Sequence, residues 1–411
     1  MRTPLAATLL FALFLPVGTA AAQGTMQLVE SVPVETVLDQ PDLPEARDVW
    51  PEMIASARST LDIEVFYVSA DPARDDALDV VLAAVSAAAA RGVRVRLLAD
   101  LGFHKTYPEW IDAIGGLPGA EVRLLDARRL WGGVQHAKFF VVDDRACFVG
   151  SQNWDYRALE HIRELGARFE SVVVAEAVGT VFAHDWALAG GGTPPAGTAT
   201  SSLATTGMET AGPWRLDAGG DAPSTVRFAA SPPQALPPGV PHDEPLLVDL
   251  IDRAAREVRL HLLSYGVTER DGTYYATLDA ALRRAAARGV QVKIILSNWA
   301  KRAAALPHIK SLAVLDNVEV RFTNIPPWSG GAIPFARVEH PKYLVKDDDE
   351  AWLGTANWGR DYFHESRNLS FFIAGGPVAG DMSRWFDTSW NSPYAEVVDP
   401  CADYAPPPRG E

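Results

Sequence analysis

HAKFFVVDDRACFVGSQN (136–153) and HPKYLVKDDDEAWLGTAN (340–357) are two copies of one pattern. Each reads His, one residue, Lys, four residues, Asp, six residues, Gly, Ser or Thr, one residue, Asn. At roughly one in twenty per specified position, a given window matches by chance on the order of 10⁻⁸ of the time. In an extended chain side chains alternate faces, so His136 projects with Lys138, and His340 with Lys342. Asp143-Asp144 and Asp347-Asp348 then fall where a strand turns. ACFVG and AWLG return as a second strand. Gly150-Ser151 and Gly354-Thr355 leave that strand close to where the first began, which brings a hydroxyl and an amide toward whatever His and Lys face.

Each copy sits at a matched point of a larger repeat, the feature to seek before local structure. LDIEVFYVS (61–69) is strand-like, ALDVVLAAVSAAAARG (77–92) is helix-like with an Arg-Gly stop, and VRVRLLAD (93–100) is strand-like again. VRLHLLSYG (258–266), TLDAALRRAAARG (277–289) and VQVKIILSNW (290–299) repeat that order. Strand, helix, strand favours parallel pairing through a right-handed crossover. The expected fold is α/β, in two similar lobes related by a pseudo-two-fold, each a mixed, mostly parallel sheet flanked by helices. The lobes are expected over 23–189 and 227–398. A flexible linker or long loop over 190–226, rich in Gly, Pro, Ser and Thr, joins them. A disordered tail is expected over 399–411.

Residues 1–22 carry Arg2, an apolar run from Leu5 to Val17, and Ala20-Ala21-Ala22 before Gln23, so they read as a cleaved secretory signal peptide. No second run of about 18 apolar residues is evident, which predicts an exported, soluble mature chain without a stable transmembrane anchor. Hydrophobic residues make up 48% and charged residues 22% of 411, a globular balance that excludes a disordered chain and a coiled coil. Two cysteines exclude a disulfide scaffold and a Cys-rich zinc module. Export permits one Cys147–Cys401 bridge; the favoured alternative is a buried Cys147 in the core with an idle Cys401, and the sequence does not decide between them. The net charge of −15 excludes a general polyanion binder, so any anionic substrate must be held by a local basic site.

Two sets of imidazole, ammonium, hydroxyl and amide meeting across a two-fold-like axis make one anion site. Fixed cationic donors around a phosphoryl group stabilise its developing charge without a metal. A neutral imidazole attacks phosphorus and becomes a covalent phosphohistidine. A second, protonated imidazole gives its proton to the leaving oxygen and then activates water. His136, Lys138, Asp143, His340, Lys342 and Asp347 are the candidate catalytic set, the two Asp suited by position to turn and supporting work. Ser151, Asn153, Thr355 and Asn357 are candidate phosphate-binding residues. Glu164 in HIRELG and Glu365 in FHESRN are candidate orienting carboxylates. The remaining histidines, His242 and His364 among them, share no ligand spacing, so no metal site and no cofactor is read. There is no nucleotide-binding Gly loop and no G-x-S-x-G elbow.

The paired motifs resemble the His-Lys-Asp motifs of the phospholipase D superfamily. LVESVP (28–33), GGVQHAKFFVVD (132–143), GSQNWDYRALEHIRELG (150–166), SPPQALPPG (231–239), LDAALRRAAARGVQVKIILSNW (278–299) and GTANWGRDYFHES (354–366) resemble the branch holding lysosomal phospholipase D-like 5′-exonucleases and poxvirus envelope relatives. The resemblance implies a single active site between lobes. It also implies metal-independent phosphodiester hydrolysis with His136 as nucleophile and His340 as general acid, and phosphate bound by Lys138, Lys342, Asn153 and Asn357. The substrate so implied is single-stranded nucleic acid or phospholipid. The different-class alternative is a non-catalytic envelope or binding protein on the same scaffold. The chain departs from the lysosomal branch in having a cleavable signal where that branch has a cytosolic tail and membrane anchor.

Overall fold

A computed structural model describes residues 21–71, 76–193, 211–269 and 271–405. The signal segment up to residue 20 and the end of the tail from 406 lie outside the described residues.

Parallel pairing occurs where the strand-helix-strand repeats occur. In the first lobe Thr60–Val65, Arg94–Asp100 and Ala120–Leu125 run parallel, with helix Ala77–Ala90 as a crossover. In the second, Glu257–Leu262, Gln291–Ser297 and Val318–Thr323 do the same around helix Thr277–Ala287. Asp76 starts the first crossover helix as a capping box with Asp79, satisfying end amides that water would otherwise have to reach. The motif hairpins attach antiparallel to these strands: Phe139–Val142 against Thr60–Val65, and Lys342–Lys346 against Glu257–Leu262. The finished sheets have seven and nine strands, and antiparallel pairs outnumber parallel ones in both. The two lobes and their crossovers agree with the sequence reading. The balance of pairing differs because each motif is a hairpin, and a hairpin can only pair antiparallel.

Alternation along the motif strands builds the layers. Phe139 and Val141 face a core shared by the lobes, while Phe140 and Val142 face an outer core under helices Ala46–Ser56 and Ala77–Ala90. Tyr343 and Val345 likewise face the shared core, and Leu344 the outer core of the second lobe. Helices Val172–Ala189 and Val378–Trp390 lie in the shared core, where Phe169 and Phe371 pack at a tilt of 31° with ring centroids 4.5 Å apart. Each such buried aromatic contributes roughly 1.5–3 kcal/mol, so the lobes are halves of one packed body and cannot part cheaply. Val172–Ala189 is long and apolar enough to cross a membrane by composition, which corrects the expectation of no second apolar run. Here half of it is buried in protein, and its Asp185 pairs with Arg367 of the other lobe.

Two boundaries shift. Trp214–Leu216 and Ser224–Ser231 are strands of the second sheet, so the described part of the 190–226 interval from Gly212 onward belongs largely to the lobe. Within the expected tail, Tyr404 packs on Phe322 at 5.2 Å and Lys310 donates to the Ala402 carbonyl. Composition rich in Pro and Gly cannot register single aromatic anchors of this kind. Cys147 is buried and Cys401 exposed, both as free thiols.

Candidate active site between the two lobes

Each motif turn is tight because both Asp residues take left-handed backbone: φ is 52° and 53° at Asp143-Asp144, 54° and 61° at Asp347-Asp348. That is what a two-residue hairpin turn of matching twist requires. The first Asp of each pair then accepts backbone amides from the start of the neighbouring strand. Asp143 takes the N–H groups of Arg58, Ser59 and Thr60, and Asp347 those of Ala255, Arg256 and Glu257. Partial burial raises these carboxyls, but the amide bonds outweigh it and hold both below the usual range. Asp143 lies five residues beyond Lys138 along the strand, roughly 16 Å at 3.3 Å per residue. The two Asp residues are therefore turn anchors that support the catalytic set without belonging to it.

At the other end of each hairpin the lobes exchange partners. His136 N donates to Arg367 O at 3.0 Å and His340 N donates to Arg163 O at 2.9 Å, two short bridges related by the pseudo-two-fold. A Cβ on Gly133 would meet Glu365 O at 2.4 Å, so only glycine lets the backbones approach this closely. The imidazoles are then oriented by the opposite lobe. His340 Nδ1 lies 2.8 Å from each Glu164 carboxylate oxygen, and His136 Nδ1 lies 3.0 Å from Asn368 Oδ1. Glu164 and Asn368 both open a strand after the motif, each eleven residues past the motif Asn. Glu365 is not the counterpart: it sits on the rim, ion-paired to Arg360 at 2.7 Å. The equal offset from Asn153 and Asn357 was the signal that identifies Asn368, obscured because an amide replaces a carboxylate there.

Lys138 and Lys342 are buried, and each ammonium donates to the carbonyl of its own motif His. Ser151 donates to Leu165 O and accepts Leu165 N, both at 3.1 Å. Thr355 donates to Asn368 Oδ1 and accepts Leu369 N, both at 3.0 Å. These hydroxyls are committed to the strands that carry the orienting groups, which corrects their reading as phosphate ligands. Asn153 and Asn357 differ: both are buried, and each has a side-chain oxygen with no hydrogen-bond partner. The unpaired atom is an acceptor, so a phosphoryl oxygen beside either residue would have to be met by the amide NH2.

The resting site is poor in charge. Burial, then the ammonium groups of Lys138 and Lys342, holds His136 well below the ordinary imidazole value. Burial and the same two ammoniums hold His340 down likewise. Burial also pushes the Glu164 carboxyl well up, and lowers Lys342 to about 7. Burial, then the neighbouring Lys342, also holds Lys138 well below the usual ammonium value, so the two lysines are placed to take up charge when an anion enters beside them. Above His136 opens a cleft of about 1140 Å³. Its wall includes Phe66, Phe103, Lys105, Arg128, Arg302 and Arg360. Tyr362 lies edge-on to His136 at 4.9 Å, and Phe66 at 5.2 Å.

The sequence model of the family described as "Cardiolipin synthase, PLD-like domain" matches residues 51–186 and again 247–390, one copy per lobe. "Phospholipase D Z" of Dictyostelium discoideum is 29% identical over 391 residues, covering 91% of each chain. "5'-3' exonuclease PLD3" of Rattus norvegicus is 30% identical over 404 residues, covering 92% of this chain and 81% of that one. Among solved structures, the phosphatidylserine synthase of Haemophilus influenzae shares the fold with a TM-score of 0.58 at 13% identity, over 86% of this chain and 85% of that one. With a doubled family match and crossed imidazoles at the lobe interface, the chain belongs to the phospholipase D superfamily, in the branch of the Dictyostelium phospholipases D and the 5'-3' exonucleases.

Proposed function

We propose that the protein is a metal-independent phosphodiester hydrolase that works through a covalent phosphohistidine. The observation carrying this reading is the crossed pair of oriented imidazoles, one beside a carboxylate and one beside a neutral amide. Asn368 accepts the Nδ1 proton of His136 and fixes the tautomer with its lone pair on Nε2, without favouring a positive charge. That suits a nucleophile. With a phosphodiester anion bound beside Lys138 and Lys342, an ionised Glu164 favours the imidazolium at His340, which suits a proton donor. His136 Nε2 attacks phosphorus; the N–P bond forms, the P–O bond to the leaving group breaks, and His340 supplies the leaving oxygen with its proton. Water then attacks phosphorus, His340 takes the proton released, and the N–P bond breaks to restore His136. Lys138, Lys342, Asn153 and Asn357 hold the phosphoryl oxygens as charge builds on them.

Single-stranded nucleic acid is the favoured substrate. Phe66 and Phe103 lie 3.9 Å apart by ring centroid, Tyr67 and Tyr107 stack beyond them, and Lys105, Arg128, Arg302 and Arg360 share the cleft wall with carboxylates that include Asp126, Glu269 and Asp361. Aromatic faces with cationic neighbours hold unpaired bases. The relatives named phospholipase D support phospholipid as the second reading. Incubation with a 5′-hydroxyl single-stranded oligonucleotide and, separately, with phosphatidylcholine vesicles separates them. Mononucleotide release in the first arm and no choline in the second is expected; choline alone refutes the nuclease reading. Loss of neither activity in His136→Ala and His340→Ala would favour the non-catalytic alternative. We infer export as well, from the signal-like residues 1–22.

A further inference from the structure

We propose that His242, Glu244 and His364 form a Zn²⁺ site distinct from the reacting imidazoles. One ligand atom from each of the three lies within 4.8 Å of the others. The residues come from opposite parts of the second lobe. His242 caps helix Asp243–Asp252, Glu244 lies in its first turn, and His364 ends the short helix Arg360–His364. A gap of 122 residues between the histidines hides this in the sequence, where no ligand spacing is visible.

The surroundings fix which atoms are available. His242 Nε2 donates to Phe363 O at 3.0 Å, which leaves the lone pair of that ring on Nδ1. Tyr275 donates its hydroxyl to Glu244 Oε1, so Oε2 is the carboxylate oxygen turned to the histidines. That Oε2 pairs with His364 Nε2 at 2.8 Å, a hydrogen bond the ion would replace. The imidazole planes cross at 69° with centroids 5.3 Å apart, so the rings converge without stacking. His242 and Glu244 thus each have a hydrogen-bonded outer partner, as ligands of a built metal centre do. Two imidazoles and one carboxylate suit Zn²⁺, whereas Mg²⁺ and Ca²⁺ prefer oxygen-only sets. Three protein ligands leave a fourth position for water. The side chains of His242 and His364 are 16% and 30% exposed, so an ion has a way in.

The bound ion would join the start of helix Asp243–Asp252 to a helix of five residues that cannot persist alone. That short helix carries Tyr362, packed on His136, so the clamp steadies one wall of the cleft. The proposal stands on the cluster itself and not on the hydrolase reading.

The test uses the full chain, stripped with a chelator, dialysed, and titrated with zinc chloride. Bound metal is counted by elemental mass spectrometry after gel filtration, Co²⁺ is substituted to read its visible absorption, and the thermal midpoint is followed. One retained equivalent is expected, with tetrahedral Co²⁺ bands and a higher midpoint. His364→Ala and Glu244→Gln should each weaken binding at least ten-fold; the second is isosteric and guards against a folding defect. His340→Ala should keep the equivalent. Failure of the wild-type chain to retain zinc overturns the proposal, as does binding that survives in both ligand variants or vanishes in His340→Ala.

Discussion

Replacing Glu164 by Gln changes one atom and removes one charge at the point where the two imidazoles are made chemically unequal. Both carboxylate oxygens lie 2.8 Å from His340 Nδ1, with charge centres about 4 Å apart; at an effective dielectric near 20 such a pair is worth about 4 kcal/mol. The amide keeps a hydrogen-bond acceptor and loses most of that attraction, so about 3–4 kcal/mol of imidazolium stabilisation is withdrawn. If His340 donates the proton, turnover falls about 10²–10³-fold on a substrate whose leaving group is a sugar alkoxide. A p-nitrophenyl ester leaves without needing the proton. Its first-turnover burst should therefore fall less than ten-fold in the same variant. Rapid mixing with thymidine 5′-p-nitrophenyl phosphate and with a thymidine dinucleotide reads both numbers. Equal losses in the burst and on the dinucleotide would refute the assignment of His340 as the acid.

Asn368→Ala frees the His136 ring without touching any charge, so it should cut the burst and steady-state turnover alike by about 10–10²-fold, while Glu164→Gln separates them. Phosphate should bind with proton uptake near pH 7.5. Lys342 is held at about 7 by burial and recovers its proton beside an anion, giving up to about one proton per site in calorimetry across buffers of different ionisation enthalpy. The same group makes the free protein more stable as pH rises from about 7 to 10, because over that window the unfolded chain holds a proton that the folded one does not. Asp143→Ala should lower stability by about 1–2 kcal/mol with kcat within about two-fold of wild type, since the carboxylate bonds amides and not substrate. Its folded pKa is depressed, so that loss is complete above the unfolded value of about 4 and vanishes as pH falls through the folded one. A urea melt at pH 7 and at pH 3 checks both ends.

His136, Lys138, His340 and Lys342 were legible because strand alternation and duplication impose a spacing that local sequence displays. The crossover strands were legible for the same reason, each pair joined by a helix that ends in an Arg-Gly stop. The orienting groups were half legible. Glu164 could be picked as a carboxylate near its motif, but its equivalent Asn368 needed the offset from Asn357 rather than residue type. Ser151 and Thr355 could not be placed from sequence, because a hydroxyl near a site reads the same whether it faces a ligand or the next strand. The buried layer beneath the site was invisible. Arg163, Glu30 and Glu339 form ion pairs at 3.6 and 3.7 Å, and Arg367 meets Asp185 at 2.5 Å, each across more than a hundred residues of chain. Such partners are fixed by tertiary packing between the lobes, and removing one of them leaves a buried charge unpaired at a cost of about 3–5 kcal/mol.

The central claim is that phosphorus passes onto one imidazole, and the most direct measurement is to catch it there. The full chain carrying His340→Ala is mixed with a p-nitrophenyl phosphodiester, quenched in detergent at alkaline pH, digested and analysed by mass spectrometry. A phosphoryl adduct on His136, and none on the His136→Ala protein, is expected. An adduct on any other residue, or hydrolysis with no adduct at any time point while the burst proceeds, contradicts it.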